Sequence, residues 1–465
     1  MNSRPTAQVP DNSPSADPAQ RRREQRGWYV YDWANQVFIT SVVTVLIGPY
    51  LSGLACTTAG APDTATCTGG AFYVHPLGIQ LHANAVYPAV TTVAILLQIL
   101  LLPLLGSLAD HSKHKKRWLF WLAFLGSLAT SLLYFTGDDY ATTAALFLVA
   151  NVLYGASLVI YNSFLSEIAT PDERDWVSTT GWAIGYLGGA LLLAAHLVLV
   201  LQADALGIGQ GEAVRIAIAS VGIWWTGFTI IALKPLRNRF GELAARSARP
   251  NLRAPTVQLV HTVRHMRQYP QTLLFLLAFI FFNDGIQAAV RYAAPFAAQD
   301  LQLDQGIMMG TILLIQFVAF AGALLVGMAA RHVGSKRAVL GTLVVWCVLV
   351  TLGYFLPARE PLLFLAMGVG IGLVLGGAQA LARSMYSQLI PRGREAEYFS
   401  LYQISDKGST FLGSLAVTIA VTLTGGYRAA IFSLIIFFLI GGYLLWKTDM
   451  RRGIREVGNE VPERL

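Results

Sequence analysis

Asn283, Asp284, Gln287 and Arg291 carry the sharpest chemical signal in this sequence. On a helix they fall within about 100° of arc, so an acid, a base and two amides share one face. Such a carboxylate can take a proton or an amine, and such a guanidinium can hold a carboxylate. Other sets follow the same helical logic. Asp32, Asn35 and Gln36 stand at i, i+3 and i+4. Asn151, Tyr154, Tyr161 and Asn162 share a second arc of about 100°, uncharged groups suited to orienting a small zwitterion by hydrogen bonding. Gln379, Arg383 and Tyr386 form another face, and Tyr398, Tyr402 and Asp406 a further one. No enzymatic arrangement competes with these sets. The eight histidines are scattered and no G-x-x-x-x-G-K-S/T phosphate loop occurs. The i, i+4 pair His261 and His265 lacks a third nearby ligand for a metal. Neither a catalytic role nor a cofactor nor a bound metal is expected.

The elements that must position these groups are membrane spans. The chain has 465 residues, 54% of them apolar and only 13% charged, with a mean hydropathy of +0.52. Soluble proteins carry about twice that share of charge. Runs of roughly 20 apolar residues, the length of a bilayer-crossing helix, occur twelve times, at about 28–54, 85–108, 118–136, 143–166, 181–202, 213–233, 272–290, 307–328, 338–357, 361–382, 399–424 and 427–446. An even number of spans puts both termini on one side. Thirty of the 34 Lys and Arg fall on that side; only Arg215, Arg291, Arg359 and Arg428 lie opposite. The positive-inside rule makes the terminal side cytoplasmic, and the net charge of +8 then reports topology rather than nucleic-acid binding. A signal peptide after Arg21, Arg22 and Arg23 is disfavoured by Asp32 and Asn35 within the apolar run and by the lack of a small-x-small site before Cys56. The expected organisation is an all-α polytopic protein: a disordered tail at 1–27, a six-helix bundle at 28–233, a basic linker at 234–270 containing a surface amphipathic helix, a second six-helix bundle at 271–447, and a tail at 448–465. Cys56 and Cys67 sit in a loop, 55–84, without Lys or Arg. In an oxidising compartment they form a disulfide; the alternative is two free thiols.

The two bundles echo one another. Tyr31-Asp32-Trp33-Ala34-Asn35-Gln36 in span one matches Asn283-Asp284-Gly285-Ile286-Gln287 in span seven. Gly106-Ser107-Leu108-Ala109-Asp110 with Lys113, Lys115, Lys116 and Arg117 matches Gly327-Met328-Ala329-Ala330-Arg331 with Lys336 and Arg337. The first copy is longer by the loop that carries the cysteines. Two parallel six-helix repeats follow. Glycine, three residues, an acid and a basic turn after spans two and eight resembles the loop signature of the major facilitator superfamily. Tyr31-Asp32-Trp33-Ala34-Asn35, Tyr161-Asn162-Ser163-Phe164-Leu165, Gly185-Tyr186-Leu187-Gly188-Gly189, Asn283-Asp284-Gly285-Ile286-Gln287, Gln316-Phe317-Val318-Ala319-Phe320 and Gln379-Ala380-Leu381-Ala382-Arg383-Ser384 resemble its vacuole-effluxer, autophagy-related branch. The sequence departs from the superfamily pattern at Lys113, where glycine is usual, and at Arg331, where an acid is common.

The resemblance implies a transporter in which spans one, four, seven and ten line a central cavity. Its solute is a small polar organic molecule, by family likeness an amino acid, moved outward, with proton coupling through Asp284 as a subsidiary expectation. The alternatives are a solute receptor without net flux, or a transporter of a drug or sugar. Substrate or coupling residues are then Asp32, Asn35, Gln36, Asn151, Tyr154, Asn162, Asn283, Asp284, Gln287, Arg291, Gln379, Arg383 and Asp406. Gly106, Asp110, Lys113, Lys116, Glu167, Gly327, Lys336 and Arg337 form the gates, with Asp110 meeting the N-terminus of span eleven and Glu167 pairing with the basic turn 113–117. The superfamily's antiporter motif has proline after glycine in span five; here Tyr186 follows Gly185, so antiport is not implied. Structural readings stand beside these. On these readings Asp284 only joins helices through Arg291 or a backbone group, Arg383 snorkels to the interface, and Asp32, Asn35 and Gln36 anchor span one. The four-residue glycine repeats at Gly181, Gly185 and Gly189 and at Gly368, Gly372 and Gly376 permit sliding or static packing alike. A monomer in a bacterial cytoplasmic membrane is expected, with a vacuolar membrane as the alternative.

Overall fold

The computed structural model describes residues 14–15, 17–237, 255–408 and 410–465. Twelve of its helices are long and apolar enough to cross a bilayer, as the hydropathy pattern requires. They are spans one (Pro18–Thr58), two (Ala83–Asp110), three (Lys115–Thr136), four (Tyr140–Ile168), five (Arg174–Leu201), six (Gln210–Leu233), seven (Pro270–Gln299), eight (Gly306–Val333), nine (Ser335–Phe355), ten (Pro361–Gln388), eleven (Glu395–Thr424) and twelve (Tyr427–Lys447).

Span one begins at Pro18 rather than near 28 because polar groups extend it where hydropathy gives no signal. Asp17 caps it, accepting from Ala19 N at 2.9 Å, and Pro18 takes a first-turn position where its missing N–H costs nothing. Arg21 then pairs with Glu173 at 2.9 Å, and Gln25 donates to the Ile168 carbonyl at 3.0 Å. Of the expected 1–27 tail, 18–27 is therefore helical, while 1–13 and 16 lie outside the described residues. Within span one, Phe38–Leu46 is π-helical. The segment after span twelve also folds back. It forms a short helix, Met450–Glu456, with Met450 and Ile454 buried, and Asn459 Nδ2 donates at 2.8 Å to the Gln388 and Ile390 carbonyls. Glu463 N donates to Asp172 Oδ1 at 2.7 Å. Both terminal segments thus meet the connection between spans four and five, which fixes them at one end of the bundle. Of the linker, 238–254 lies outside the described residues; the helix anticipated there runs Pro255–Met266.

At the opposite end, Cys56 and Cys67 are bridged. They are buried with Leu51, Val74 and Val86 beneath a small antiparallel hairpin that pairs Tyr73 with His82.

The glycine repeats fall on seams inside each half. A Cβ at Gly181 would lie 2.5 Å from Asp32 Oδ2, and Gly185 and Gly189 face Gln36 and Thr40, so this stripe seats span five on span one. Gly368 and Gly372 face Thr311 and Val318 of span eight. Of these six glycines only Gly376, against Tyr186, meets the other half.

Candidate functional site

Between the first six and last six spans lies a cavity of about 240 Å³. One face of span one supplies Asp32, Asn35, Gln36 and Ile39, spaced i, i+3, i+4 and i+7 as a single helical face requires. Span four adds Tyr154 and Asn162, span seven Gln287, span ten Gln379 and Arg383, and span eleven Gln403, Asp406 and Lys407. The walls continue away from the termini past Thr44, Val290, Met308 and Phe364.

At the terminal end of the cavity Arg383 forms the floor. It is 3% exposed, so it does not snorkel. From span ten it reaches only into the first half: Nε donates to Ser178 Oγ at 2.9 Å, Nη2 to the Ser178 carbonyl at 3.0 Å and to Asp32 Oδ2 at 3.4 Å, and Nη1 to Asn162 Oδ1 at 3.2 Å. Its guanidinium lies 4.5 Å from the Trp28 ring centroid and 5.6 Å from that of Trp182, cation–π geometry. Trp28 is itself fixed: its Nε1 donates to the Tyr161 carbonyl while Tyr161 OH donates to the Trp28 carbonyl, both at 3.1 Å.

The polar stripe of span seven divides. Gln287 lines the cavity. Asn283 stands just behind the lining, accepting from Gln379 Nε2 and donating to Asp406 Oδ1, each at 3.0 Å, so it orients two lining groups. Lys407 Nζ lies 3.4 Å from Asp406 Oδ2, and both line the cavity. Asp284 turns away. It is fully buried against span eleven, where Gly413 N donates to Oδ2 at 2.6 Å, and it is not among the lining residues. Arg291 is exposed and donates to Ser414 Oγ at 3.3 Å. Asn151 also lies off the cavity, held by Gln98 Nε2 through its carbonyl at 3.1 Å. Of the expected substrate or coupling residues, Asp284, Arg291 and Asn151 are thus not among those that line this cavity: each helix presents its polar arc across more than one neighbour, and only part of that arc meets the cavity.

Below the floor, further ties join the halves. Asp110 accepts from Ala396 N at 2.9 Å and Glu397 N at 2.8 Å, a carboxylate seated on the N-terminus of span eleven as its dipole favours. Gly106 permits that approach, since a Cβ there would lie 2.5 Å from the Ala396 carbonyl oxygen. Gly327 abuts Thr179 in the same way. Ser178 Oγ donates to the Ala380 carbonyl at 2.6 Å and Arg174 Nη1 to the Ser387 carbonyl at 3.0 Å. Glu167 does pair with the basic turn, but through Lys115, at 2.6 Å. Lys113 is exposed, and Lys116 donates instead to the Leu236 carbonyl at 2.9 Å. Lys336 caps the end of span twelve through the Trp446 and Thr448 carbonyls, both at 2.8 Å, while Arg337 is exposed. In the second loop copy Arg331 stacks over Trp176 of span five at 3.9 Å.

Sequence reasoning named Lys115 only as part of the basic turn, and it passed over Ser178, Trp28 and the Arg331–Trp176 stack. The helical start at Lys115 was the one available signal for the first; nothing local marks the others.

The chain matches the family described as vacuole effluxer Atg22 like over residues 20–458. It is 27% identical to the uncharacterized MFS-type transporter YxiO of Bacillus subtilis over 428 residues, covering 91% of this chain and 94% of that one. It is 26% identical to autophagy-related protein 22 of Gibberella zeae over 529 residues, covering 94% and 80%. Among solved structures, the fucose:proton symporter FucP of E. coli superposes with a TM-score of 0.65 at 11% identity, covering 93% of this chain and 99% of that one. The proton:xylose symporter XylE gives 0.63 at 12% identity, with coverages of 92% and 95%. These last two likenesses establish the major facilitator fold. By its extent and its family match, the chain belongs to the vacuole effluxer Atg22-like family and is an MFS-type membrane transporter.

Proposed function

We propose that this transporter exports small zwitterionic solutes, amino acids foremost, by alternating access between its two six-helix halves. The observation that carries the reading is the charge balance of the cavity, where Asp32 and Asp406 are set against Arg383 and Lys407. A solute with its own paired charges can exchange partners with this lining without stranding a charge in a low-dielectric site, which would cost several kcal/mol. Asn35, Gln36, Asn162, Gln287 and Gln379 add donors and acceptors for orientation. Efflux rests on the family description. With the basic terminal end taken as cytoplasmic, the cavity is sealed towards the cytoplasm and its walls lead outward, the state from which an exporter releases solute.

Proton coupling is assigned to Asp32 rather than Asp284. Asp32 lines the cavity and ties the halves through Arg383, so its protonation weakens that tie, whereas Asp284 meets span eleven alone. One chain encloses the whole cavity, which supports a working monomer, and the bacterial relative supports a bacterial cytoplasmic membrane. The test is uptake of a labelled amino-acid panel by sealed proteoliposomes, with and without an imposed pH gradient. Gradient-driven accumulation by wild type, lost in Asp32→Asn and kept in Asp284→Asn, supports the reading. Flux that only equilibrates removes proton coupling, and loss in Asp284→Asn alone moves the coupling site to span seven. No amino-acid flux, with transport of charged or sugar solutes instead, removes the substrate class.

A further inference from the structure

The helix Pro255–Met266 does not span the bundle but packs on spans two and seven and reaches the start of span eleven through two side chains. Its inner face is committed. Thr262 and Met266 are buried, Thr262 Oγ1 donates to Glu397 Oε1 at 2.5 Å, and His265 Nδ1 lies 2.9 Å from Tyr398 OH. The outer face combines two chemistries. Val260 and Val263 are 48% and 40% exposed, and with the exposed Arg264 they fall within about 100° of helical arc; Arg267 is exposed on the turn that follows the helix. The helix sits against the first turn of span eleven, the level at which the apolar spans end and a bilayer's headgroups begin. Exposed β-branched residues beside guanidiniums suit that boundary, apolar groups meeting acyl chains and arginines meeting phosphates.

We infer that this face rests on the bilayer and binds anionic phospholipid headgroups through Arg264 and Arg267. The consequence reaches the seam between the halves. Glu397 and Tyr398, held by the inner face, belong to the turn whose amides Asp110 accepts. A helix pinned to the bilayer therefore braces spans two and eleven together and favours the state closed at the terminal end.

The experiment uses the full-length transporter in nanodiscs, with Val263→Cys carrying a bimane label on a Cys347→Ala background and a nitroxide on the lipid headgroup as quencher. Discs of neutral phosphatidylcholine are compared with discs containing one quarter phosphatidylglycerol. Quenching should rise with phosphatidylglycerol content and fall at high salt. Each arginine near an anionic surface contributes about fivefold. In Arg264→Gln/Arg267→Gln the ratio of docked to undocked helix should therefore drop roughly thirtyfold, and much more phosphatidylglycerol should be needed for half-maximal quenching. Quenching equal in neutral and anionic discs overturns the headgroup assignment. Absence of quenching in both overturns the bilayer contact itself and leaves the face to a protein partner or a second copy. Because the readout is label depth, it stands whatever solute the cavity carries.

Discussion

Replacing Arg383 by glutamine tests whether the cavity floor holds the two halves together. The substitution removes the ion pair to Asp32 at 3.4 Å and the fork that reaches Ser178 and Asn162 at 2.9 to 3.2 Å. Hydrogen bonds to a charged group are worth about 1.5–3 kcal/mol each, but four on one side chain are not additive, and glutamine recovers one. Removing one partner of a buried pair costs about 3–5 kcal/mol because the other charge is stranded. The pair here is long and edges a cavity, so the low end applies. We expect about 3 kcal/mol against the closed state, roughly 150-fold in the open-to-closed ratio. Ser387→Cys on a Cys347→Ala background provides the assay. Ser387 is 2% exposed with the terminal end closed, so its rate of labelling by an impermeant maleimide added from that side follows the open population. The rate should rise by about two orders of magnitude in Arg383→Gln and by less in Arg383→Lys, which keeps the charge. It should fall part-way back in Arg383→Gln/Asp32→Asn, where no carboxylate is stranded. A rate in Arg383→Gln within twofold of the parent would refute the reasoning, because the floor would then contribute nothing to closure.

Three further outcomes follow from the same geometry. Lys115→Ala strands Glu167, whose side chain is 1% exposed, and should cost about 3–5 kcal/mol in detergent thermal unfolding; Lys115→Met/Glu167→Gln should regain most of it, since a buried pair is replaceable by neutral groups. Gly106→Val forces a side chain onto the Ala396 carbonyl, so Ser387→Cys labelling should rise at least tenfold with little change in unfolding temperature. Asp284→Asn keeps an acceptor for Gly413 N and should shift unfolding by no more than about 1 kcal/mol, with accumulation ratios in proteoliposomes unchanged.

The twelve spans were legible because length and hydropathy decide bilayer crossing almost alone, and the seat of Asp110 on span eleven followed from the resemblance of its loop. Which polar groups face the solute was less so. Asp284 and Gln287 lie on one arc of span seven, yet one meets Gly413 and the other the cavity, because helix rotation is set by packing against spans ten to twelve. Arg383 reads in isolation as an interfacial arginine; its burial depends on Ser178, Asn162 and Asp32, two hundred or more residues away in the chain. Lys115, rather than Lys113 or Lys116, reaches Glu167 because span three starts there and turns the side chain inward. The helical stretch before Trp28 was hidden for the opposite reason: its caps and ion pairs are polar and leave no hydropathic trace.

The π-helical stretch of span one has a mechanical consequence. Phe38–Leu46 borders the cavity through Ile39 and Thr44, and its looser i→i+5 bonding differs from α bonding by one residue per turn. Tightening one such turn rotates everything beyond it by about 100° without leaving a backbone amide unpaired. Span one is thus a rod with a swivel at its middle. Its inner segment is clamped by Trp28 and Asp32, and its outer segment, Ile47–Thr58, carries Cys56 and through it the cross-linked hairpin. Any turn at that swivel would be carried by the outer segment to the hairpin, where a fluorophore on Tyr73→Cys would read it.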